Sequence, residues 1–293
     1  MKIAIVNLLI LGVSSSSLLA DVTAFWKFDN SGQDYSGNNN QLSLNGVSFS
    51  TDRFGRINSA GMFDGQSFAY SSSNIGVTGN SNRTVSLWLK INSQQDYAMS
   101  LGYPGQLIGW GNPGHVSGGG FALFYEALNN VYSGNQNINF GALAFYRDAN
   151  FEARNEFALN QWNNVALTYG GSMGSYRLYI NGESVGQPIL DGAYTNSSET
   201  LDTENGQVVI GGGGSSGLDS SLDTVWSFDS SVSIPSDYHG FRGSMDDVMI
   251  FNTELSSDEV RALYNVQSIP EPSALSLLAI GLGGLAMMRR RRS

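Results

Sequence analysis

The densest group of hard oxygen donors lies near the start of the chain, in Asp34-Tyr35-Ser36-Gly37-Asn38-Asn39-Asn40. A carboxylate, a hydroxyl, amides and backbone carbonyls crowd there around a glycine turn. Such a set suits Ca²⁺, which takes about six to eight oxygen ligands. The spacing is not that of an EF-hand, because the terminal glutamate is missing. The same residues also suit a plain Asx turn, in which the Asp34 carboxylate bonds to nearby backbone. Spacing alone leaves both readings open.

Catalytic pairs are harder to find. A glycosidase needs two facing carboxyl groups, roughly 5 Å apart for retention or about 6.5–9.5 Å for inversion. Asp202 and Glu204 share strand parity, whereas neighbouring Glu199 does not. Glu152 and Glu156 share parity but sit in a polar segment with no aromatic platform. His115 and His239 lie in glycine-containing, loop-like stretches. No serine has a nucleophile-elbow context, and Gly211-Gly212-Gly213-Gly214 lacks the lysine of a phosphate cradle. The absence of cysteine excludes disulfides, thiolate nucleophiles and zinc–thiolate centres.

The elements that must position these groups are strands. Thr84 to Ile91 alternates, with Val85, Leu87, Leu89 and Ile91 on one face and Trp88 on the other. This pattern predicts a strand covered on both sides or lining a groove. Further strands are expected at Val22 to Phe28, Gly120 to Tyr125, Phe140 to Tyr146, Asn164 to Tyr169, Tyr176 to Ile180, Gln207 to Ile210 and Met245 to Phe251. Asn181-Gly182 predicts a tight hairpin, since both residues tolerate positive φ. Only one helix has a full start signature, at Ser256 with Glu259 three residues on and Leu255 and Val260 placed as a hydrophobic staple. Many strands and one short helix predict an all-β sandwich or jelly roll. The run Gly211 to Gly217 is expected as a long surface loop, not a domain boundary.

Both ends read as addresses. Met1-Lys2, an apolar stretch from Ile3 to Val13 and Leu18-Leu19-Ala20 predict a signal peptide over residues 1–20. At the other end, Pro270-Glu271-Pro272 precedes an uncharged stretch, Ser273 to Met288, and then Arg289 to Arg292. As a helix that stretch would rise about 24 Å, close to the thickness of a bilayer core. Its arginines would stay on the cytoplasmic side, so transient inner-membrane insertion of the C-terminal segment is expected. Between the ends, 10 basic residues face 24 acidic ones, a net charge of −14 over residues 21–268. A body this acidic argues against a nucleic-acid partner.

Residues 269–293 resemble the bacterial PEP-CTERM sorting signal, in the order Pro-Glu-Pro, apolar helix, arginine cluster. The resemblance implies processing by an exosortase and an exported protein of the cell envelope, surface or extracellular matrix. A second resemblance spans the body, residues 21–268. Its pieces include Trp26-Lys27-Phe28-Asp29, Arg53-Phe54-Gly55-Arg56, Ala60-Gly61-Met62-Phe63-Asp64-Gly65, Trp162 to Tyr169, Tyr176 to Gly182 and Gly243 to Phe251. Their order resembles the laminin-G-like, concanavalin A-like lectin/glucanase family. The implied fold is a jelly-roll sandwich of two antiparallel sheets with one short C-terminal helix. Residues 96–160 form a long insertion relative to shorter members.

That resemblance carries further expectations. Family members hold a structural calcium near the first loop, which implies a site of Asp34, Asn38 and Asn40 with the acidic pair Asp246 and Asp247. Adjacent strand residues point to opposite faces, so at most one of the pair should reach an ion, and the resemblance favours Asp246. Sugar binding would use aromatic rims, here Tyr103, Trp110, Tyr132, Tyr194, Trp226 and Tyr238 in loop-like stretches. Trp88, Trp162, Tyr179 and Phe251 are expected to pack in the core. The function implied is non-catalytic binding of an exopolysaccharide or surface glycan. The alternatives are a structural or adhesive protein-binding module and, with less behind it, a polysaccharide hydrolase or lyase.

Overall fold

In a computed structural model, the described residues are 22–91, 105–111, 119–129, 136–144, 147–153, 157–186, 189–190, 197–212, 214–215 and 238–270. The expected leader and the apolar segment before the arginines lie outside them. Among the described residues no helix is long and apolar enough to cross a membrane.

The chain runs through β1 (Val22–Trp26), β2 (Leu42–Asn45), β3 (Ser48–Ser50), β4 (Ala60–Asp64), β5 (Phe68–Asn74) and β6 (Arg83–Lys90). Next come β7 (Gly105–Gly111), β8 (Gly120–Asn129), β9 (Gln136–Ala144), β10 (Arg147–Ala153), β11 (Asn163–Tyr169) and β12 (Arg177–Ile180). The last strands are β13 (Glu183–Gly186), β14 (Ile189–Leu190), β15 (Gln207–Ile210), β16 (Gly214–Ser215), β17 (Tyr238–His239) and β18 (Arg242–Phe251), followed by α1 (Ser257–Gln267). One eight-stranded sheet has the order β13-β12-β11-β6-β18-β4-β3, with β1 also paired to β18. A second, also eight-stranded, has the order β14-β10-β9-β8-β7-β15-β5-β2. The strand pairs in both are antiparallel. The expected two-sheet sandwich is therefore present.

Alternation decides which side chains lie between the sheets. From the first sheet, Val85, Leu87 and Leu89 of β6 and Val165 and Leu167 of β11 point inward, with Trp26 of β1. From the second, Ile108, Trp110, Phe121, Leu123, Tyr125, Val208 and Ile210 meet them. Trp88 faces the opposite way and is still buried, because α1 lies over it: its indole stacks on Tyr264 at 5.6 Å and donates to Gln267 Oε1 at 3.2 Å. The strand is thus covered on both sides, as its sequence implies. Beside it a smaller cluster joins Ala166, Tyr179 and Phe251 to Leu255, just before α1, and to Val260 and Leu263 of α1. Ser256 and Glu259 form the reciprocal capping box expected of them.

The hairpin between β12 and β13 turns at Asn181 and Gly182, with φ of 53° and 80°. The long region from residue 96 to 160 contributes β7 to β10, half of the second sheet's strands, so it builds the sandwich instead of decorating its rim. Part of the glycine run pairs too: Gly214–Ser215 forms β16 against β17. At one end of the core Arg83 is fully buried. It donates to the carbonyls of Ser81 and Gly79 and to Thr203 Oγ1 and lies over the rings of Phe121, Tyr169 and Trp110.

Candidate functional site

The first loop is tied down by its own carboxylate. Asp34 Oδ1 accepts from the backbone N–H groups of Phe25 and Ser36, at 3.1 and 2.8 Å. Oδ2 accepts from Ser36 Oγ and from the backbone N–H of Asn40, at 2.9 and 2.8 Å. The bond to Ser36, two residues on, is the Asx turn that the sequence allows. Asn38 and Asn40 point their amide N–H groups at the carbonyl of Thr23, and Asn38 reaches that of Val22 as well. Asn40 accepts with both oxygens: its carbonyl from the Trp26 indole and its Oδ1 from Ser73. The loop holds β1 to β5 by these bonds, while Trp26 bridges Asp34 and pairs with Val248 of β18. The first loop and the last long strand lie side by side through β1, yet their carboxylates serve separate clusters.

The second cluster forms where β18 changes neighbours. β4 runs beside Arg242 to Met245, and β1 beside Val248 to Phe251. Between these stretches an extra residue enters β18. Asp246 opposes Trp88 and Met249 opposes Ser86, so three steps on β18 match two on β6. Asp247 occupies the bulge at a φ of 45°. This overturns the parity expectation that only one of the acidic pair can reach a common point. The bulge turns both carboxylates to the outer face, where Arg53 Nη1 pairs with Asp246 and Nη2 with Asp247 Oδ2, the latter at 2.6 Å.

Arg53 does more than join the pair. Its Nε and Nη2 donate to the carbonyl of Gln267, the last residue of α1, at 3.1 and 2.9 Å. The guanidinium lies over Phe54 at 4.5 Å and Trp88 at 4.6 Å, and its side chain is only 7% exposed. Two carboxylates on one guanidinium leave a surplus negative charge. Burial and then the charge of Asp247 push the Asp246 carboxyl well above the usual carboxylate range, outweighing Arg53. Nearby, Arg56 pairs with the buried Asp52 at 2.6 Å. Sequence reading missed the role of Arg53, since its partners lie 193 to 214 residues away.

A calcium ion does not fit the residues expected to hold it. The Asp34 oxygens face four hydrogen-bond donors, and Asn38 and Asn40 turn their amide nitrogens to the carbonyls of β1. Asp246 and Asp247 already face a cation supplied by the chain. Among the described residues no group of three or more acidic or histidine side chains is placed to hold a metal.

The aromatic positions divide three ways. Trp110 is wholly buried within β7, with its indole donating to the Val77 carbonyl at 2.8 Å, so it is a core residue and not part of a rim. Tyr238 lies in β17 opposite Ser215. Tyr103, Tyr132, Tyr194 and Trp226 fall outside the described residues, as do Glu271 and Pro272 of the sorting motif. Of the residues expected to pack, Trp88, Tyr179 and Phe251 are buried, whereas Trp162 is partly exposed.

The concanavalin A-like lectin/glucanases superfamily model matches residues 63–236. The chain belongs to that superfamily. A PEP-CTERM protein-sorting motif matches residues 268–292, directly after α1, and marks this superfamily protein for export to the cell envelope or surface. Among curated proteins none matches it. Solved structures with a similar fold include the botulinum neurotoxin serotype D binding domain, at 19% identity and a TM-score of 0.54 over 85% of this chain and 52% of that one. The binding domain of Paraclostridial Mosquitocidal Protein 1 follows at 16% identity and a TM-score of 0.55, over 85% and 53%. Against both, this chain spans about half of the other's length. Domain 4 of AbnA, a GH43 extracellular arabinanase from Geobacillus stearothermophilus, is similar over 83% of this chain and 98% of its own, at 18% identity and a TM-score of 0.49.

Proposed function

We propose that the protein is an exported, non-catalytic component of the cell surface or matrix, whose sandwich binds an exopolysaccharide or another extracellular polymer. The observation that carries this reading is the sorting motif joined directly to a lectin-type body. An exosortase removes the tail near Pro270-Glu271-Pro272 and leaves the sandwich outside the cytoplasm. The state of the carboxylates supports a role without catalysis. Asp34, Asp52, Asp246, Asp247 and Glu259 are held by arginine, backbone or hydroxyl donors, whereas a glycosidase needs one carboxylic acid and one free carboxylate facing each other. Two of the solved structures of similar fold are described as binding domains, a use of this architecture that needs no catalysis.

A second reading, a structural or adhesive module that contacts proteins, gains from the burial of Trp110, which removes one aromatic from the expected sugar platform. The two are separated by incubating the exported protein with purified exopolysaccharide and with a glycan array. Retention on polymer without new reducing ends or unsaturated sugar products supports the binding reading. Self-association with no glycan retained favours the adhesive one. Reducing ends that accumulate in proportion to time and protein would overturn the non-catalytic assignment.

A further inference from the structure

The oxygens that converge at the junction of β18 and α1 come from Asp246, Asp247 and the Gln267 carbonyl, and each accepts from Arg53. Two carboxylates and a carbonyl are donors that a hard divalent cation would take. Here a guanidinium fills that position, lying over the rings of Phe54 and Trp88 at 4.5 and 4.6 Å. Arginine suits such a place because its planar fork meets several oxygens at once and keeps its charge when buried. A second cation set among the same oxygens would be repelled by the first. The first loop offers no alternative, since the Asp34 carboxylate is turned toward N–H and O–H donors.

We propose that Arg53 is a built-in cation that locks the last strand to the final helix, so that the body keeps its fold without a divalent metal. This goes beyond the functional reading and does not depend on it. The lock joins three segments distant in sequence: the β3–β4 connection, the β18 bulge and the end of α1. Its place is specified by stacking as well as by charge. A lysine there would keep the charge but lose the forked reach to Asp246 and Asp247 and the guanidinium's contact over the Trp88 ring.

The test uses the full-length chain in mild detergent, with thermal unfolding followed in millimolar calcium and again in excess chelator. The wild-type midpoint should be the same in both. Arg53→Met should lower it by roughly 6–20 °C in both, because two buried carboxylates then lose their partner. Arg53→Lys, the variant more apt to fold, should fall between the two. A wild-type midpoint that drops in chelator, with the drop abolished by Asp34→Asn or Asp246→Asn, would overturn the proposal. So would an Arg53→Met chain as stable as wild type.

Discussion

Replacing Asp34 by asparagine probes the first loop most directly. The substitution keeps the shape of the side chain and changes one oxygen to NH₂. Placed with its remaining oxygen toward Phe25 and Ser36, the amide preserves the two bonds made by Oδ1. Its NH₂ then faces the Ser36 hydroxyl and the backbone N–H of Asn40. The hydroxyl can rotate and accept. The Asn40 N–H cannot, and Asn40 is buried, so one buried donor loses its partner at a cost of about 1–3 kcal/mol. The surviving bonds also weaken, because charge-assisted bonds are roughly twice as strong as neutral ones. Together these give a loss of about 2–4 kcal/mol, or a midpoint lower by roughly 4–16 °C for a body of this size. The assay is thermal and urea unfolding of Asp34→Asn and wild type, each in chelator. If Asp34 served mainly as a metal ligand, the wild type in chelator would already have lost that contribution and the two proteins would unfold together. Coincident curves in chelator therefore refute the hydrogen-bonding account, and a gap of the stated size supports it.

Other substitutions separate packing from recognition. Trp110→Ala removes a wholly buried ring from between the sheets and should cost about 3–5 kcal/mol, read by urea unfolding, with any loss of polymer retention following the loss of fold. Ser256→Ala deletes the cap of α1 and should cost about 0.5–2 kcal/mol by the same measurement. Gly61→Ala places a methyl 2.7 Å from the Phe28 ring and should destabilise by about 1–3 kcal/mol, with Phe28→Leu in the same chain recovering part of the loss. Asp246 gives a pH signature. Its folded-state carboxyl holds a proton more tightly than the ordinary value of 3.8, chiefly through burial. The folded chain therefore binds more protons than the unfolded one between those values, and stability falls as pH rises through that window before levelling. Urea midpoints across the acidic range should show wild type losing ground to Asp246→Asn as pH rises, and parallel curves would refute the raised value.

Much of the fold was legible because it is written in short periods. Val85, Leu87, Leu89 and Ile91 alternate in the sequence and all reach the core. Asn181-Gly182 carries its turn in two residues, and Ser256 with Glu259 carries the helix start in four. What escaped was non-local or irregular. The length of the region from 96 to 160 is visible, but not that β7 to β10 would supply half of the second sheet, since their places depend on partners as distant as β15. Trp110 looked like a loop aromatic because glycines flank it on both sides. Those glycines instead let β7 and β8 approach: a Cβ on Gly109 would sit 2.9 Å from that of Ala122. The Asp247 bulge has no glycine to announce it, and one inserted residue was enough to reverse the parity argument for the acidic pair.

The end of α1 shows how sequence and packing set one boundary together. Pro270 disfavours helical backbone at Ile269, so the helix must stop close to the point where the sorting motif begins. The stop is then fixed from outside: Arg53 holds the Gln267 carbonyl, Trp88 holds the Gln267 side chain, and Ser268 closes back on the Tyr264 carbonyl. Side-chain contacts of this kind stop at Ser268: Ile269 is tied only by its backbone N–H to the Val266 carbonyl, and its side chain is 67% exposed. Loss of the residues beyond Pro270 would leave in place the described contacts that hold α1 to the sandwich. Arg53→Met would remove the two bonds to the Gln267 carbonyl and leave the Trp88 and Ser268 contacts alone at a loosened helix end, weakening the hold that keeps Val260 and Leu263 against Phe251. A protease applied to the full-length chain should therefore spare α1 in wild type but cut within it in Arg53→Met.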